Sequence, residues 1–242
     1  MSVYGYRARI GYTSPPMLTE VFPIEWYAMA PKGMSLVVTS LAILAVTTEA
    51  VDESYQMSLR IAKEMGRSNV DLVVLGGLPI NASQGASKVD DLIKTVSDSS
   101  GVPVTTSLTA QINALRAVGA SKIAQAHPMS EDLDDAAAGP LREHGFNVIG
   151  SIGADVNTAY EWGRMSIETS LELARQVKKD YPEADTIWFP CPHWPTAEML
   201  ETVEQELGVN AISASQAIVW EAMRKVGIED KIEGYGRLMR DF

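Results

Sequence analysis

The sequence predicts an α/β fold with two pseudo-symmetric, Rossmann-like lobes, each built on a parallel β-sheet. Short apolar runs alternate with longer amphipathic stretches along the chain, and this switching of period is typical of βαβ units. The 242 residues are enough for one large domain or two small ones. Two consecutive strand–turn–helix units in the first half also recur in the second, which favours two similar lobes.

Eight runs have the composition of strands, and the amphipathic stretches between them predict helices. The predicted strands cover residues 7–13, 35–44, 70–77, 102–107, 122–126, 147–152, 186–191 and 210–213. The predicted helices cover residues 51–67, 87–96, 109–119, 131–145 and 165–180. Glycine is favoured just after a helix, and Gly119, Gly145 and Gly208 fit that position. His144 is expected to cap the helix that ends before Gly145.

The internal repeat is clearest in the last unit of each half. V-P-V-T-T-S-L-T-A-Q-I-N-A-L-R-A-V-G ends at Gly119, and N-A-I-S-A-S-Q-A-I-V-W-E-A-M-R-K-V-G ends at Gly227. Both read as a strand, a Ser/Thr turn and a helix with the pattern A-[LM]-R-x-V-G. Chance likeness between ordinary βα units is the competing explanation. Duplication predicts a first lobe of residues 1–110 plus 215–242, a second lobe of residues 111–214, and a cleft between them.

The charge balance and the cysteine count exclude several classes of protein. A net charge of −11, without runs of Lys or Arg, argues against a nucleic-acid or anionic-membrane partner. One cysteine excludes an internal disulfide framework and a Cys-rich zinc site, and the three histidines are scattered, so no metal site is expected. The start of the chain lacks a signal-peptide pattern, and apolar runs such as residues 36–46 are too short to span a bilayer. We therefore expect a cytoplasmic protein.

Cys191 is the candidate catalytic residue. It follows the apolar run D-T-I-W-F-P and opens the turn C-P-H-W, so we expect it at the carboxyl end of a strand, where open α/β sheets bind ligands. A helix N-terminus nearby would lower the pKa of its thiol, and the group would then act as base, nucleophile or acid. Pro190 and Pro192 predict a rigid turn around it. The alternative is a buried thiol without a function, since free cysteines are commonly buried.

Other strand ends carry polar side chains that can meet at the same cleft. Hydroxyl groups follow three predicted strands, at Ser14, at Thr106 and Ser107, and at Ser215. They can bind a carboxylate or cap the helix that follows. His193 can polarise the thiol or bind a carboxylate, although a place behind the site or on the surface is favoured for it. His127 falls at a strand end from which it can reach the cleft. No dinucleotide-binding, P-loop or G-x-S-x-G pattern occurs in the sequence.

Six segments occur in a specific order: R-I-G-Y-T-S-P-P, D-L-V-V-L-G-G, G-V-P-V-T-T-S-L-T-A-Q-I-N-A-L-R-A-V-G-A-S-K-I-A, P-C-P, S-A-S-Q-A-I-V-W-E-A-M-R-K-V-G and G-Y-G-R-L. Their order and spacing resemble the aspartate/glutamate racemase superfamily, and within it the arylmalonate decarboxylases and maleate cis-trans isomerases. The resemblance spans nearly the whole chain. It implies two α/β lobes with an active site between them, no cofactor, and a small carboxylate as substrate. Whether the chain forms a homo-oligomer is left open.

The resemblance implies roles for individual residues. Racemases and maleate isomerases of this kind use two cysteines, one from each lobe, whereas arylmalonate decarboxylases keep the second and have glycine at the first place. Cys191 matches the second position, and Gly77, or Gly76 if the alignment slips by one, matches the first. The implied reaction is loss of CO₂ from a small carboxylic or dicarboxylic acid, after which Cys191 protonates the enediolate. The residues implied to bind the substrate are Ser14, Pro15, Gly76, Gly77, Leu78, Thr106, Ser107, Met129, Pro192, His193 and Ser215.

Three positions depart from the decarboxylase pattern. A Thr-Ser pair expected after the glycine aligns with Leu78 and Pro79, and an expected tyrosine aligns with Met129, so part of the carboxylate-binding set is absent or rebuilt. A maleate cis-trans isomerase or an amino-acid or hydantoin-type racemase is the first alternative, as a one-base variant that uses His127 or His193. A small-acid binding protein that has lost catalysis is the second.

Overall fold

The computed structural model describes residues 4–43, 48–156 and 158–242. The strands are β1 (Ala8–Pro16), β2 (Met34–Ile43), β3 (Leu72–Leu75), β4 (Val104–Thr106), β5 (Lys122–His127), β6 (Asn147–Gly153), β7 (Thr186–Phe189) and β8 (Asn210–Ser213). The helices are α1 (Val21–Met29), α2 (Thr48–Arg67), α3 (Leu78–Ala82), α4 (Val89–Ser100), α5 (Ser107–Ala117), α6 (Asp134–Glu143), α7 (Ala159–Trp162), α8 (Ile167–Asp180), α9 (Leu200–Leu207), α10 (Ala214–Lys225) and α11 (Gly236–Asp241). All eight predicted strands are confirmed: the last matches β8 residue for residue, and the others have shifted ends. The predicted end of the second strand, Leu44, lies outside the described residues.

The strands form two parallel four-stranded sheets of the same topology, in the orders β2-β1-β3-β4 and β6-β5-β7-β8. The inner strands β3, L-V-V-L, and β7, T-I-W-F, are buried at every residue, as expected for strands with both faces covered. The predicted α/β fold with two similar parallel sheets is therefore confirmed. The division of the chain near residues 110 and 214 stays a prediction.

Helices α5 and α10 hold the two sheets together. They follow β4 and β8, contact each other, and between them contact strands of both sheets. Asn113 on α5 donates to both carboxylate oxygens of Glu221 on α10, at 3.1 and 3.2 Å. Trp188 on β7 donates its Nε1–H to Oε1 of Gln111 on α5 at 2.8 Å. These bonds, of which that of Trp188 is buried and those of Asn113 are part-buried, join α5 to α10 and to β7.

The sequence pattern does not predict α1, the helix that brings a carboxyl group into the interior. Its segment V-F-P-I-E-W-Y-A-M is apolar nearly all round, so the 3.6-residue period is hidden. Phe22 and Trp26 are fully buried, whereas Ile24 and Tyr27 are exposed. The Phe22 ring packs on the Tyr12 ring with centroids 4.3 Å apart, which fixes α1 against β1.

The C-terminal segment packs against the rest of the fold. Leu238 and Met239 of α11 are buried, and α11 contacts α9, α10 and β8. Gln216 donates its side-chain amide to the Tyr235 carbonyl at 2.5 Å. None of the helices within the described ranges has the length and apolarity that crossing a membrane requires.

Candidate active site

A cavity of about 330 Å³ lies where strand ends of both sheets meet. The first sheet and the loops after it contribute Pro15, Pro16, Ile43 and residues 77–80, and the second contributes Met129, Ser130, Val156 and residues 190–193. Because all eight strands are parallel within their sheets, these residues come from carboxyl ends, the usual ligand-binding edge of α/β folds. The cleft predicted between the sheets is therefore present, with Cys191 and Gly77 both lining it.

The cavity wall is largely apolar. Its lining includes proline, leucine, isoleucine, valine and alanine side chains together with Trp162. Asp132 is the single formally charged side chain among the described lining residues, and none of these residues is Lys or Arg. A carboxylate bound here must therefore be held by N–H and O–H donors rather than by a cation.

Cys191 lies two residues beyond β7 and is 7% exposed. Burial raises the pKa of its thiol to about 12, the nearby Glu25 carboxylate adds to this, and the His193 backbone N–H opposes it. The expectation of a lowered thiol pKa is wrong, because no helix begins at Cys191: the next helical turn starts only at Ala197. At neutral pH the group is a thiol, which suits a proton donor and not a resting nucleophile.

Gly77 is the counterpart of Cys191 in the other sheet. It lies two residues beyond Leu75, the last residue of β3, as Cys191 lies two beyond Phe189, the last residue of β7. Strands β3 and β7 hold the same place in the two sheet orders. The structure therefore favours Gly77 over Gly76 as the first-lobe position.

Gly76 has a packing role instead. Its N–H donates to the Thr13 carbonyl and to Thr13 Oγ1, both at 3.0 Å. A Cβ added at Gly76 would lie 2.0 Å from the Thr13 carbonyl oxygen and 2.8 Å from the Tyr12 hydroxyl. Because backbone cannot move aside cheaply, this position requires glycine for close approach of β3 and β1.

Seven of the twelve predicted site residues line the cavity: Pro15, Gly77, Leu78, Met129, Cys191, Pro192 and His193. Ser14, Gly76, Thr106, Ser107 and Ser215 are not among the described lining residues. Thr106 accepts a hydrogen bond from the Thr109 N–H at 2.9 Å and so caps α5, as the alternative assignment held. The hydroxyls of Ser14 and Ser215 are buried and make no hydrogen bond of normal geometry, although the Ser215 hydroxyl acts on the Glu25 carboxyl. Direct contact of these five residues with a substrate stays a prediction.

The two histidines considered for a one-base isomerase or racemase have different positions. His193 is 8% exposed and lines the cavity, so the expected surface position is wrong. Burial lowers the pKa of its imidazole to about 4, so the ring is neutral at pH 7. His127 is fully buried with Nε2 2.7 Å from Asp134 Oδ1 and 3.1 Å from Ser151 Oγ. It does not line the cavity, so the expectation that it reaches the cleft is wrong.

Glu25 is the buried polar residue near Cys191 that the sequence prediction missed. Its Oε1 accepts hydrogen bonds from the backbone N–H groups of Thr196 at 2.6 Å and Ala197 at 2.8 Å. Burial raises the pKa of its carboxyl, against these bonds and the Ser215 hydroxyl. The available signal was the lone acid within an otherwise apolar, aromatic-rich segment, since buried carboxyl groups are rare without a role.

The site can be compared with known proteins. The family described as arylmalonate decarboxylase matches residues 10–239 of this chain. The chain belongs to the arylmalonate decarboxylase family. The resemblance found in the sequence is thereby confirmed, and the protein is an enzyme of this family.

Individual members and relatives agree with this assignment. Arylmalonate decarboxylase from Bordetella bronchiseptica is 27% identical over 230 residues, 95% of each chain. Maleate isomerase from Geobacillus stearothermophilus is 23% identical over 205 residues, 82% of this chain and 81% of that protein. A solved structure of a double mutant of arylmalonate decarboxylase in its liganded form has a TM-score of 0.89 at 26% identity and covers 97% of this chain and 100% of its own.

The fold alone is also shared with maleate isomerase Iso from Pseudomonas putida S16. That structure has a TM-score of 0.88 at 20% identity and covers 97% of this chain and 98% of its own. Relatives with decarboxylase and isomerase activity therefore share this architecture, and the side chains in the cavity must decide between the two reactions.

Proposed function

We propose that this protein is a cofactor-independent decarboxylase of small carboxylic or dicarboxylic acids, with Cys191 as its single proton donor. The observation that carries the proposal is the pair of equivalent positions occupied by Cys191 and Gly77. One bears a thiol in the cavity and the other bears no side chain. The whole sequence contains one cysteine, so the protein has no second thiol for a two-thiol reaction.

The proposed reaction uses the thiol in its protonated form. The bond between the substrate carbon and the leaving carboxylate breaks, CO₂ departs, and the electron pair remains as an enediolate. The Cys191 S–H bond then breaks, its proton goes to the substrate carbon, and a thiolate is left. The raised pKa of Cys191, about 12, keeps the proton on sulfur until this step.

The apolar wall favours loss of the leaving carboxylate. Leu78, Pro79 and Val156 line the cavity and provide little to solvate a negative charge, so a carboxylate placed against them is destabilised relative to CO₂. The same wall fits an apolar substituent on the substrate. We therefore expect acids with an aryl or alkyl group at the reacting carbon, such as arylmalonates.

The carboxylate that the substrate retains must be bound by hydrogen-bond donors. Leu78 and Met129 offer no hydroxyl, and Pro79 has no backbone N–H. His193 lies in the lining beside Cys191 as a neutral imidazole, which carries one N–H. We assign the retained carboxylate to this imidazole and to backbone N–H groups of the loop after β7.

His193 is also the observation that favours a second candidate, an isomerase or racemase. A neutral imidazole can accept a proton from the substrate carbon, while a thiol donates a proton to that carbon from another direction. This candidate retains the same cavity and the same proton donor, but it does not release CO₂.

The experiment that separates the two candidates is incubation in deuterated water with phenylmalonate, 2-methyl-2-phenylmalonate, maleate, aspartate and glutamate. We expect CO₂ release from the malonates, with one deuterium at the α-carbon of each product formed from a disubstituted malonate. Fumarate formed from maleate, or α-deuteration of an amino acid without loss of mass, would instead support the isomerase or racemase.

A further inference from the structure

His127 is a buried histidine that the proposed reaction leaves without a task. It ends β5, is fully buried, and is not among the described residues that line the cavity. Its Nε2 lies 2.7 Å from Asp134 Oδ1 and 3.1 Å from Ser151 Oγ. Its other ring nitrogen, Nδ1, is buried and has no hydrogen-bond partner among the described residues. An imidazole that is only partly paired in the interior is costly, so its bond to Asp134 calls for an explanation.

The chain that follows His127 forms one wall of the cavity. Residues 129–137 run from the end of β5 through a short 3₁₀ helix (Glu131–Leu133) into the first turn of α6, and we call them the β5–α6 wall. They contribute six of the twenty-one described lining residues: Met129, Ser130, Asp132, Leu133, Ala136 and Ala137. A displacement of this wall would therefore change the shape of the space that a substrate enters.

Two sets of hydrogen bonds fix the ends of the wall. Near its start, the backbone N–H groups of residues 154–156 donate to the carbonyls of residues 127–129, at 2.9 to 3.2 Å. At its far end, Asp134 is held by two side chains of β5. His127 bonds its carboxylate, and Gln125 Nε2 donates to its backbone carbonyl at 2.9 Å. Residues 129–133 belong to no strand or α-helix, so their position depends on these two end points.

The chemistry of the pair makes it a firm anchor. A carboxylate oxygen accepts a hydrogen bond and does not donate one, so we place a proton on Nε2 of His127. A hydrogen bond to a charged acceptor is stronger than one between neutral groups, and shielding from water strengthens it further. Gln125 Nε2 also donates to Ser151 Oγ at 2.9 Å, which joins β6 to the same network. The pair thus ties the end of a buried strand to the start of α6.

We propose that His127 is a positioning residue whose bond to Asp134 holds the β5–α6 wall where the substrate binds. The inference rests on the proposed function. His127 does not touch the substrate or exchange a proton with it. Because the wall offers mainly apolar side chains and Cys191 belongs to a different loop, a loosened wall weakens substrate binding and leaves proton transfer from Cys191 nearly unchanged.

Three variants and a matched control test this role. His127→Leu removes the donor and keeps a side chain of similar size, whereas His127→Gln keeps an N–H donor close to the place of Nε2. Asp134→Ala removes the acceptor, and because that side chain is 29% exposed, this variant carries the test if His127→Leu does not fold. Asp135→Ala is the control: Asp135 is the next acid in the first turn of α6, but it pairs with Arg142 at 2.6 Å. Circular dichroism melting curves establish that each variant folds.

The decisive measurement is the split between KM and kcat for CO₂ release from phenylmalonate. His127→Leu and Asp134→Ala should each raise KM about tenfold and leave kcat within about threefold. The double variant should raise KM no further, since both changes remove the same bond. His127→Gln should keep KM within about threefold of the wild-type value, and Asp135→Ala should change neither constant.

Three results would overturn the proposal. A lower kcat at unchanged KM is what a loss of folded enzyme produces, so it would show a merely structural role. Additive effects on KM in the double variant would show that His127 and Asp134 act separately. A His127→Gln variant as impaired as His127→Leu would show that the N–H donor is not the feature that matters.

A second measurement needs no substrate. Hydrogen–deuterium exchange followed by mass spectrometry reports the local opening of a peptide that covers the β5–α6 wall. Its amides should exchange about tenfold faster in His127→Leu and Asp134→Ala than in wild type, whereas amides of β3 should be unaffected. Equal exchange of the wall in all three proteins would overturn the positioning role. A wild-type protein that turns over none of the acids tested would contradict the proposed function and leave the exchange result to decide whether the pair holds the wall.

Discussion

Cys191 and Gly77 occupy equivalent positions in two sheets of identical strand order, each two residues beyond the end of the third strand. The repeated architecture therefore has two places from which a side chain can reach the reacting carbon. In this chain one place holds the thiol that we propose as the proton donor, and the other bears no side chain. A single donor delivers its proton to one face of the substrate, so the product of a prochiral acid should be a single enantiomer.

The backbone conformation of Gly77 and the atoms packed around it both disfavour a side chain at this position. Gly77 has φ +86°, and a Cβ there would lie 2.6 Å from Pro15 Cγ and 2.9 Å from Ile80 Cδ1. Gly77→Ala should lower the free energy of unfolding by about 2–3 kcal/mol, from strain plus contact. Gly101→Ala is the control, since Gly101 has φ +74° with nothing within 4 Å, and it should cost about 1 kcal/mol. Equal costs in urea denaturation would contradict the crowding of Gly77.

The Cys191 thiol should be a slow nucleophile in the folded protein. Burial raises its pKa from 9.0 to about 12, so the thiolate that reacts with iodoacetamide is scarce at neutral pH. The native protein should be alkylated appreciably only as the pH approaches about 12, whereas the urea-unfolded protein should react from about pH 9. Mass spectrometry of the alkylated protein measures both profiles. A native thiol that reacts at pH 8 as fast as the unfolded one would refute the burial argument.

His193 should make the fold sensitive to acid. Its pKa is lowered from 6.5 to about 4, so between these values the unfolded chain binds a proton that the folded chain does not. Stability is thus retained above about pH 6.5 and lost as the pH falls toward about 4, by on the order of 3 kcal/mol. The free energy of unfolding of His193→Asn should fall less over this range. Parallel pH dependences of wild type and variant would show that other groups are responsible.

The lack of a hydroxyl group at position 78 should weaken binding of the carboxylate that the substrate retains. Leu78 lines the cavity, and Leu78→Thr would replace it with a smaller side chain that carries a hydroxyl donor. A hydrogen bond to a charged group contributes about 1.5–3 kcal/mol, so KM for malonates should fall about tenfold or more. Leu78→Val, which changes the shape without adding a hydroxyl, is the control. If both variants change KM alike, the effect comes from the shape of the cavity.

The strands and the position of Cys191 were accessible from the sequence because local patterns determine them. L-V-V-L and T-I-W-F are continuous apolar runs bounded by glycine or proline, which is typical of buried parallel strands. The repeat around Gly119 and Gly227 then indicated that two such sets occur. The Pro–Cys–Pro turn after β7 placed the thiol at the edge where ligands bind.

The buried position of Glu25 and the raised pKa of the Cys191 thiol could not be predicted from local sequence patterns. The helix that carries Glu25 has no 3.6-residue period, and its carboxyl meets Thr196 and Ala197 across 171 and 172 residues of chain. The pKa of Cys191 depends on how deeply the loop is buried and on where the next helix begins. Both are properties of the packed tertiary structure, which local patterns do not report.

The most direct test of the account is the initial rate of CO₂ release from phenylmalonate by Cys191→Ala at pH 7. Because Cys191 is proposed as the sole proton donor, we predict a loss of at least about a hundredfold relative to wild type, with the melting temperature little changed. A folded variant that keeps more than about a tenth of the wild-type rate would show that another group delivers the proton, and it would contradict the assignment.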